Sequence, residues 1–278
     1  MSQWKTIKRL IKGHPNFVSI RQRIIRVLNR RYRKKHVAML HLGRSGSSVL
    51  ANMLKVHSQI DWAGEIFEEY LNSDAETGTE DFMNNTINYS RDLRLSTVYG
   101  FETKYLPQQH LSTNCLNQSI EGYVAALESL GFTHFIVLHR KNLLRRAVSA
   151  SVGKATGKWH SNEPIGSPTK IRMDINSFPS GASSMSILES FSSAEDRYER
   201  LQRCVAANNK LLLTYEEDIQ NDPRIGYRRI IEFLGLSDEA PEIKLRRTNP
   251  FAYQEMIENF AEVEAALQGT QHAWMLEH

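Results

Sequence analysis

Residues 37–54 read Val37-Ala38-Met39-Leu40-His41-Leu42-Gly43-Arg44-Ser45-Gly46-Ser47-Ser48-Val49-Leu50-Ala51-Asn52-Met53-Leu54. Val37 to Leu42 is short and apolar, with basic residues before it and Gly43 after it, the pattern of a strand buried on both faces in a parallel sheet. Val49, Leu50, Met53, Leu54 and Val56 then recur at helical spacing, and Ser45 or Ser47 is placed to cap the first turn. A strand that turns through glycine into a helix aims backbone N–H groups and the positive end of the helix dipole at one point, where an anion binds. Gly43 and Gly46 permit tight turns, Arg44 offers a fork of donors, and Ser45, Ser47 and Ser48 add hydroxyls. The loop lacks the Lys-Ser/Thr pair of GxxxxGK[ST], since Ser47-Ser48 stand there, and it does not fit GxGxxG.

Outward from this loop, apolar runs at Val98 to Phe101, His134 to Leu138 and Leu211 to Tyr215 predict further strands. Helical patterns at Ile120 to Leu130, Leu143 to Val152, Ile187 to Val205 and Arg224 to Leu234 separate or follow them. This alternation predicts an α/β fold with a P-loop-like central parallel sheet flanked by helices. Gly153 to Ser193 is rich in Gly, Ser and Pro, too long for an idle connection, and is expected to be a lid or substrate-contacting insertion in a domain spanning 36–278.

Charge is uneven along the 278 residues. Residues 1–60 hold 14 Lys or Arg and no acidic residue, leaving 21 basic against 31 acidic in the rest. Segment 1–35 reads as two short basic amphipathic helices, with three explanations open: a solvated face, a contact with anionic membrane, or a nucleic-acid patch. The last is disfavoured, because the only aromatics there are Trp4, Phe17 and Tyr32 and no base-reading motif follows. Two distant cysteines, Cys115 and Cys204, give neither a disulfide framework nor a cysteine zinc site, and no apolar run is long enough to span a membrane. A cytoplasmic protein, peripheral at the membrane if segment 1–35 touches lipid, is the expectation.

Four ordered blocks, from about residue 37 to the end, resemble the sulfotransferases that use 3'-phosphoadenosine 5'-phosphosulfate (PAPS), particularly the bacterial trehalose and nodulation-factor branch. Val37 to Leu54 resembles their phosphosulfate loop. His139-Arg140-Lys141-Asn142 through Ser149, with Thr156-Gly157-Lys158-Trp159, resembles the segment that grips the 3'-phosphate, and Arg140 and Ser149 match the gripping positions. Leu213 to Asp218 with Phe233 to Leu236, and Leu245 to Pro250 through Trp274 to Leu276, resemble the late strand and helix and the carboxyl tail. The resemblance implies a sulfonyl transferase acting on a carbohydrate or glycolipid hydroxyl, with PAPS as co-substrate, no metal, and Gly43, Arg44, Ser45, Gly46, Ser47, Ser48, Arg140 and Ser149 on the donor. A divergent P-loop kinase is the enzymatic alternative, disfavoured by the missing Lys.

Sulfonyl transfer asks for stabilised equatorial and leaving oxygens, a role for Arg44, and for a group that takes the acceptor's proton. The segment Trp62 to Tyr70 resembles the family's carboxylate-bearing stretch, and Glu65 matches the base by position; Glu68, Glu69, His41 and His139 remain alternatives. Related sequences carry a Lys directly after Gly-Phe, where this one has Glu102, and Lys104, two residues on and on the same strand face, is placed to compensate. Arg145, Arg146 and Lys154 read as at least partly the wet face of their helix. Trp159 is a stacking platform or a core aromatic, and the direction of Arg246 and Arg247 is open.

Overall fold

The computed structural model describes residues 35–71, 79–92, 96–106, 109–112, 115–180, 183–205 and 210–277. The basic segment up to residue 34, where the two amphipathic helices are expected, lies outside the described residues.

Five parallel strands form the central sheet: β1 (Lys35–His41), β2 (Ile60–Trp62), β3 (Val98–Lys104), β4 (His134–His139) and β7 (Lys210–Thr214), in the order β2-β3-β1-β4-β7. The expected α/β architecture is therefore the one observed. β1 is apolar from Val37 to Leu40 because both faces are covered there. Val37 and Met39 face one core layer, and Ala38 and Leu40 face the other, as the two-residue period of a strand dictates.

The first layer is filled by α1 (Ser47–Val56) and α7 (Arg224–Leu234), through Leu50, Met53, Leu54, Tyr227, Ile230 and Leu234. On the opposite face lie α2 (Glu80–Asp92), α3 (Ile120–Ser129), α4 (Leu143–Thr156) and α5 (Ile187–Cys204). The chain leaves β1 toward β2 and β3 and then returns to β4 on its other side. β1 is thus the switch point, and the crevice beyond its carboxyl end is where such sheets bind ligands. Register sets His41 beside Lys104 and His139 beside Thr214 at that edge.

Two expected boundaries move. Helix α4 runs on through Gly153 to Thr156, and α5 begins at Ile187, where Ser186 and Glu189 form a capping box. The irregular stretch is accordingly 157–177, followed by the hairpin β5 (Phe178–Ser180) and β6 (Ser183–Met185). Tyr215 belongs not to β7 but to the short helix α6 (Tyr215–Asp218), because Thr214 caps it by accepting from the Glu217 N–H. After α7 the chain forms α8 (Tyr253–Met256) and α9 (Phe260–Leu267). Among the described residues no helix is long and apolar enough to cross a membrane.

Candidate active site

The crevice at the end of β1 is a cleft of about 1210 Å³, lined by the 43–48 loop, the carboxyl ends of β3 and β4, one face of α4 and the tail around 243–250. A second groove of about 1300 Å³ lies at the β2 edge between Asp61, Tyr70 and Tyr89, but its described lining has no basic residue and offers nothing to an anion.

The glycine loop makes the strand-to-helix turn, though not by the caps expected. Gly46, at φ 88°, occupies the N-cap of α1 and makes no side-chain cap; an added Cβ there would meet Ile219 at 2.9 Å, so only glycine fits the turn. Neither serine caps the helix. The Ser45 hydroxyl is buried and donates to the Leu42 carbonyl at 2.5 Å, which leaves Ser45 only its amide for a ligand, and Ser47 bonds Glu102. Of the three serines, Ser47 and Ser48 line the cleft. Among the described residues the N–H groups of 43–48 pair with no backbone carbonyl. Two loop carbonyls are held from below: Arg146 Nε donates to Gly43 O and Arg140 Nη1 donates to Arg44 O, each at 3.0 Å. Arg44 is itself held in the left-handed region at φ 67°, a conformation that costs a non-glycine residue about 1 kcal/mol and is kept only where surroundings enforce it.

Arg44, Arg140 and Arg146 converge here, and none forms an ion pair among the described residues. Burial pushes the Arg146 guanidinium down to about 10, with repulsion from Arg140 and Arg44 adding to it. Burial likewise lowers Arg44 and Arg140. Arg140 lies 4.0 Å over the Tyr215 ring, and its Nε has no hydrogen-bond partner among the described residues. Three converging guanidinium groups, Arg140 buried and Arg44 and Arg146 half-buried, with an unused buried donor on Arg140, leave positive charge without a counter-ion.

Ser149 faces Arg44 rather than Arg140: it accepts from Arg44 Nε at 3.0 Å and from Asn249 Nδ2 at 3.2 Å. The turn that brings α4 round is made by Glu216, whose carboxylate accepts from both the Lys141 and Asn142 N–H groups at 3.0 Å. Asn142 then caps α4 by accepting from the Arg145 N–H at 2.8 Å and from Tyr253 Oη at 3.1 Å, while its Nδ2 donates to Met275 O at 3.1 Å.

Arg146 belongs to this site and not to a wet face; the small residues Ala150 and Gly153, four and seven positions on, are the sequence signal that this helix face approaches something closely. Arg145 is also engaged, donating to Phe251 O at 2.7 Å and stacking on Tyr253, whereas Lys154 is exposed. Trp159 packs on α4, since a Cβ at Gly153 would fall 2.7 Å from its ring; its carbonyl accepts from Arg44 Nη1 at 2.5 Å. Arg44 Nη2 donates to Thr248 Oγ1 at 2.8 Å, and the Arg246 N–H to Ser161 O at 2.8 Å. The tail and the 157–161 segment are therefore strapped across the cleft. Arg247 is turned to the Gln220 carbonyl.

At the other end of the cleft stand carboxylates. Glu65 follows β2 in a stretch fixed by the bonds Ala63 N–H to Gly100 O (2.8 Å) and Glu102 N–H to Gly64 O (2.9 Å). Lys104, ending β3, bonds Glu65 Oε2 at 2.6 Å and Glu68 Oε2 at 2.5 Å. Burial and the Glu68 hydrogen bond raise the Glu65 carboxyl to about 7 against the pull of Lys104. The His110 hydrogen bond, joined by Glu65 and Lys104, holds Glu68 far below the ordinary range against its own burial. Burial opposes the Lys104 charge, but the two carboxylates outweigh it and raise its pKa. Glu69 points away into the β2-edge groove. Glu102 is buried under this group, accepting from Trp62 Nε1 at 2.9 Å, and burial raises it to about 7. His41 is buried beside it and pushed down to about 3 by burial. His139 is stacked on Tyr198 with ring centroids 3.9 Å apart, away from the carboxylates.

No protein-family model matches the chain, and no curated protein matches it. Among solved structures it is similar to a sulfotransferase from Alicyclobacillus acidocaldarius, with TM-score 0.47 and 15% identity over 88% of this chain and 94% of that one. It is also similar to the sulfotransferase domain from the curacin biosynthetic pathway, with TM-score 0.42 and 12% identity over 74% of this chain and 75% of that domain. Both likenesses are too distant to define a family.

Proposed function

We propose that this protein is a sulfotransferase that moves a sulfonyl group from PAPS to a hydroxyl, with a sugar or glycolipid as acceptor. The observation that carries it is the convergence of Arg44, Arg140 and Arg146 on one glycine loop, with Arg140 Nε unpartnered among the described residues. Such a cradle suits a multiply charged donor and, lacking the Walker Lys, does not suit a magnesium triphosphate. The free amides of 43–48 with Arg44 would take the phosphosulfate, and Arg140 with Ser149 the 3'-phosphate. Ser149 is within reach because its present partners, Arg44 and Asn249, are side chains that can turn to an incoming oxygen.

In the transfer, the bond from the acceptor oxygen to sulfur forms as the sulfur bond to the bridging phosphate oxygen breaks. The acceptor's proton goes to Glu65, and the nucleotide bisphosphate leaves with its charge met by Arg44 and the loop amides. Glu65 is preferred to Glu68 because it is the half-buried one of the pair on Lys104, 23% exposed against 51%. The carbohydrate acceptor rests on the sequence resemblance to the trehalose and nodulation-factor branch. A cytoplasmic location with the basic segment 1–35 on an anionic membrane would suit a lipid-linked acceptor.

The test is calorimetry with 3'-phosphoadenosine 5'-phosphate and adenosine monophosphate, without magnesium, followed by a radiolabelled-PAPS screen over sugars and glycolipids. The bisphosphate is expected to bind at least about a hundredfold tighter, as the loss of a charge-assisted 3'-phosphate contact implies. Equal affinity for both nucleotides, or turnover of ATP in place of PAPS, sinks the reading.

A further inference from the structure

Beside Glu65, the proposed base, stand two groups that the transfer chemistry leaves unused, His41 and Glu102. His41 closes β1 and is fully buried. Its Nδ1 lies 3.0 Å from the Leu42 carbonyl, which can only accept, so the ring hydrogen is on Nδ1 and Nε2 carries a lone pair. Among the described residues Nε2 has no hydrogen-bond partner. It faces Glu65 Oε1 at 3.6 Å and Glu102 Oε2 at 3.7 Å, too far for hydrogen bonds.

These separations have a different natural explanation. Two ligand atoms, each about 2.1 Å from one ion and at a near-tetrahedral angle, stand about 3.4 Å apart. The imidazole nitrogen and an oxygen from each carboxylate all lie within 4.8 Å of one another. The far side of every group is already held: Leu42 O takes the imidazole N–H, Lys104 Nζ bonds Glu65 Oε2 at 2.6 Å, and Trp62 Nε1 donates to Glu102 Oε1 at 2.9 Å. Outer contacts of this kind fix ligand orientation in metal sites.

We propose that His41, Glu65 and Glu102 form a binding site for a divalent transition-metal cation at the carboxyl ends of β1 and β3. One imidazole with two carboxylates suits Mn²⁺, Fe²⁺ or Zn²⁺, whereas Mg²⁺ and Ca²⁺ prefer oxygen alone. The adjoining trio Glu65, Glu68 and His110 also gathers ligand atoms within 4.8 Å, but His110 Nε2 already has a partner in Glu68 Oε2 at 3.0 Å, whereas His41 Nε2 has no hydrogen-bond partner among the described residues. The cation site shares Glu65 with the sulfonyl-transfer reading, so an ion there would occupy the proposed base; the arginine cradle that carries that reading is separate from it, and the site departs from the metal-free expectation from sequence.

The test uses the full chain without a tag, stripped with a chelator and titrated with ZnCl₂ by calorimetry and with MnCl₂ by loss of the free-ion EPR signal. About one equivalent of either ion is expected at micromolar affinity or better, falling about a hundredfold or more in Glu102→Gln and in His41→Gln. Glu102→Gln retains an acceptor for Trp62, so it decides alone if His41→Gln fails to fold by circular dichroism. Absence of binding by the wild type, or equal affinity in wild type and Glu102→Gln, overturns the site. Nucleotide bisphosphate titrated into the same samples separates the two proposals: ion binding without nucleotide binding sinks only the transferase reading, and the reverse sinks only the cation site.

Discussion

The two ends of the cleft solve opposite electrostatic problems with the same device, side chains set at the carboxyl edge of a parallel sheet. At the β4 end, Arg44, Arg140 and Arg146 crowd together with no counter-ion among the described residues, held by loop carbonyls that spend their lone pairs on guanidinium groups. At the β3 end, Glu65, Glu68 and Glu102 share the single cation Lys104, and burial raises the Glu65 and Glu102 carboxyls to about 7. The arginine set cannot shed its charge and gains most of its interaction energy from binding an anion. The carboxyl set can relieve its excess charge by taking up a proton or an ion. On the proposed sulfonyl transfer, this contrast would divide the work, with donor affinity falling to the arginines and handling of the acceptor to the carboxylates.

That division is broken most directly by Arg44→Ala. Loss of a guanidinium that meets charge in the transition state is expected to lower sulfonyl transfer by about 10⁴-fold and also to weaken bisphosphate binding. Calorimetry and radiolabelled transfer on the same preparation would check it, and normal nucleotide affinity would show that Arg44 serves only as the strap to Trp159 and Thr248. The acceptor end should behave otherwise. Glu65→Gln is expected to lower the turnover rate by about 10³-fold while bisphosphate affinity stays within about twofold. A parallel loss of affinity would mean that the two ends are one electrostatic unit.

How legible each end was in the sequence follows from how it is built. The loop at Gly43 to Ser48 is contiguous and lies in a strand-turn-helix pattern, so the loop's place at the sheet's carboxyl edge and the sheet around it could be read directly. Arg146 could not, because on a helix surface charge usually signals solvent, and only the fold shows that this face of α4 lies under Gly43. Ser45 misled for a related reason: a serine beside a helix start usually caps it, but here Gly46 takes the N-cap and the hydroxyl turns back to Leu42. The pairing of His41 with Glu65 and Glu102 joins three strands far apart in sequence, and local pattern carries no information about which strand ends become neighbours.

The arginine end also depends on the turn that delivers it. Asn142 caps α4 and ties that turn to the tail through Tyr253 and Met275. Asn142→Ala removes the cap and strands two buried partners, a loss of about 3 kcal/mol in stability. Denaturant melts would measure it. Because the same turn aims Arg140, nucleotide affinity should fall in the folded protein as well; unchanged affinity would show that the Tyr215 ring and the Arg44 carbonyl suffice to position Arg140.

The smallest expected effect sharpens the contrast from the side of stability. His139, at the end of β4, is buried against Tyr198, with Tyr105 Oη 3.4 Å from its Nδ1 and the positive Arg146 and Lys141 nearby. Burial, helped by those two cations, pushes it down to about 4. A histidine whose folded pKa is depressed is protonated first in the unfolded chain, so its contribution is complete above the unfolded value of 6.5 and is lost as pH falls toward the folded value. Between pH 7 and pH 5 that loss is about 2 kcal/mol. His139→Phe keeps the stacked ring and removes the titration, so its stability should fall less steeply over this interval than that of the wild type. An unchanged slope, measured by urea melts at both pH values, would mean that the proton is taken up elsewhere and that the arginine cluster does not reach across β4 to set the charge of its neighbour.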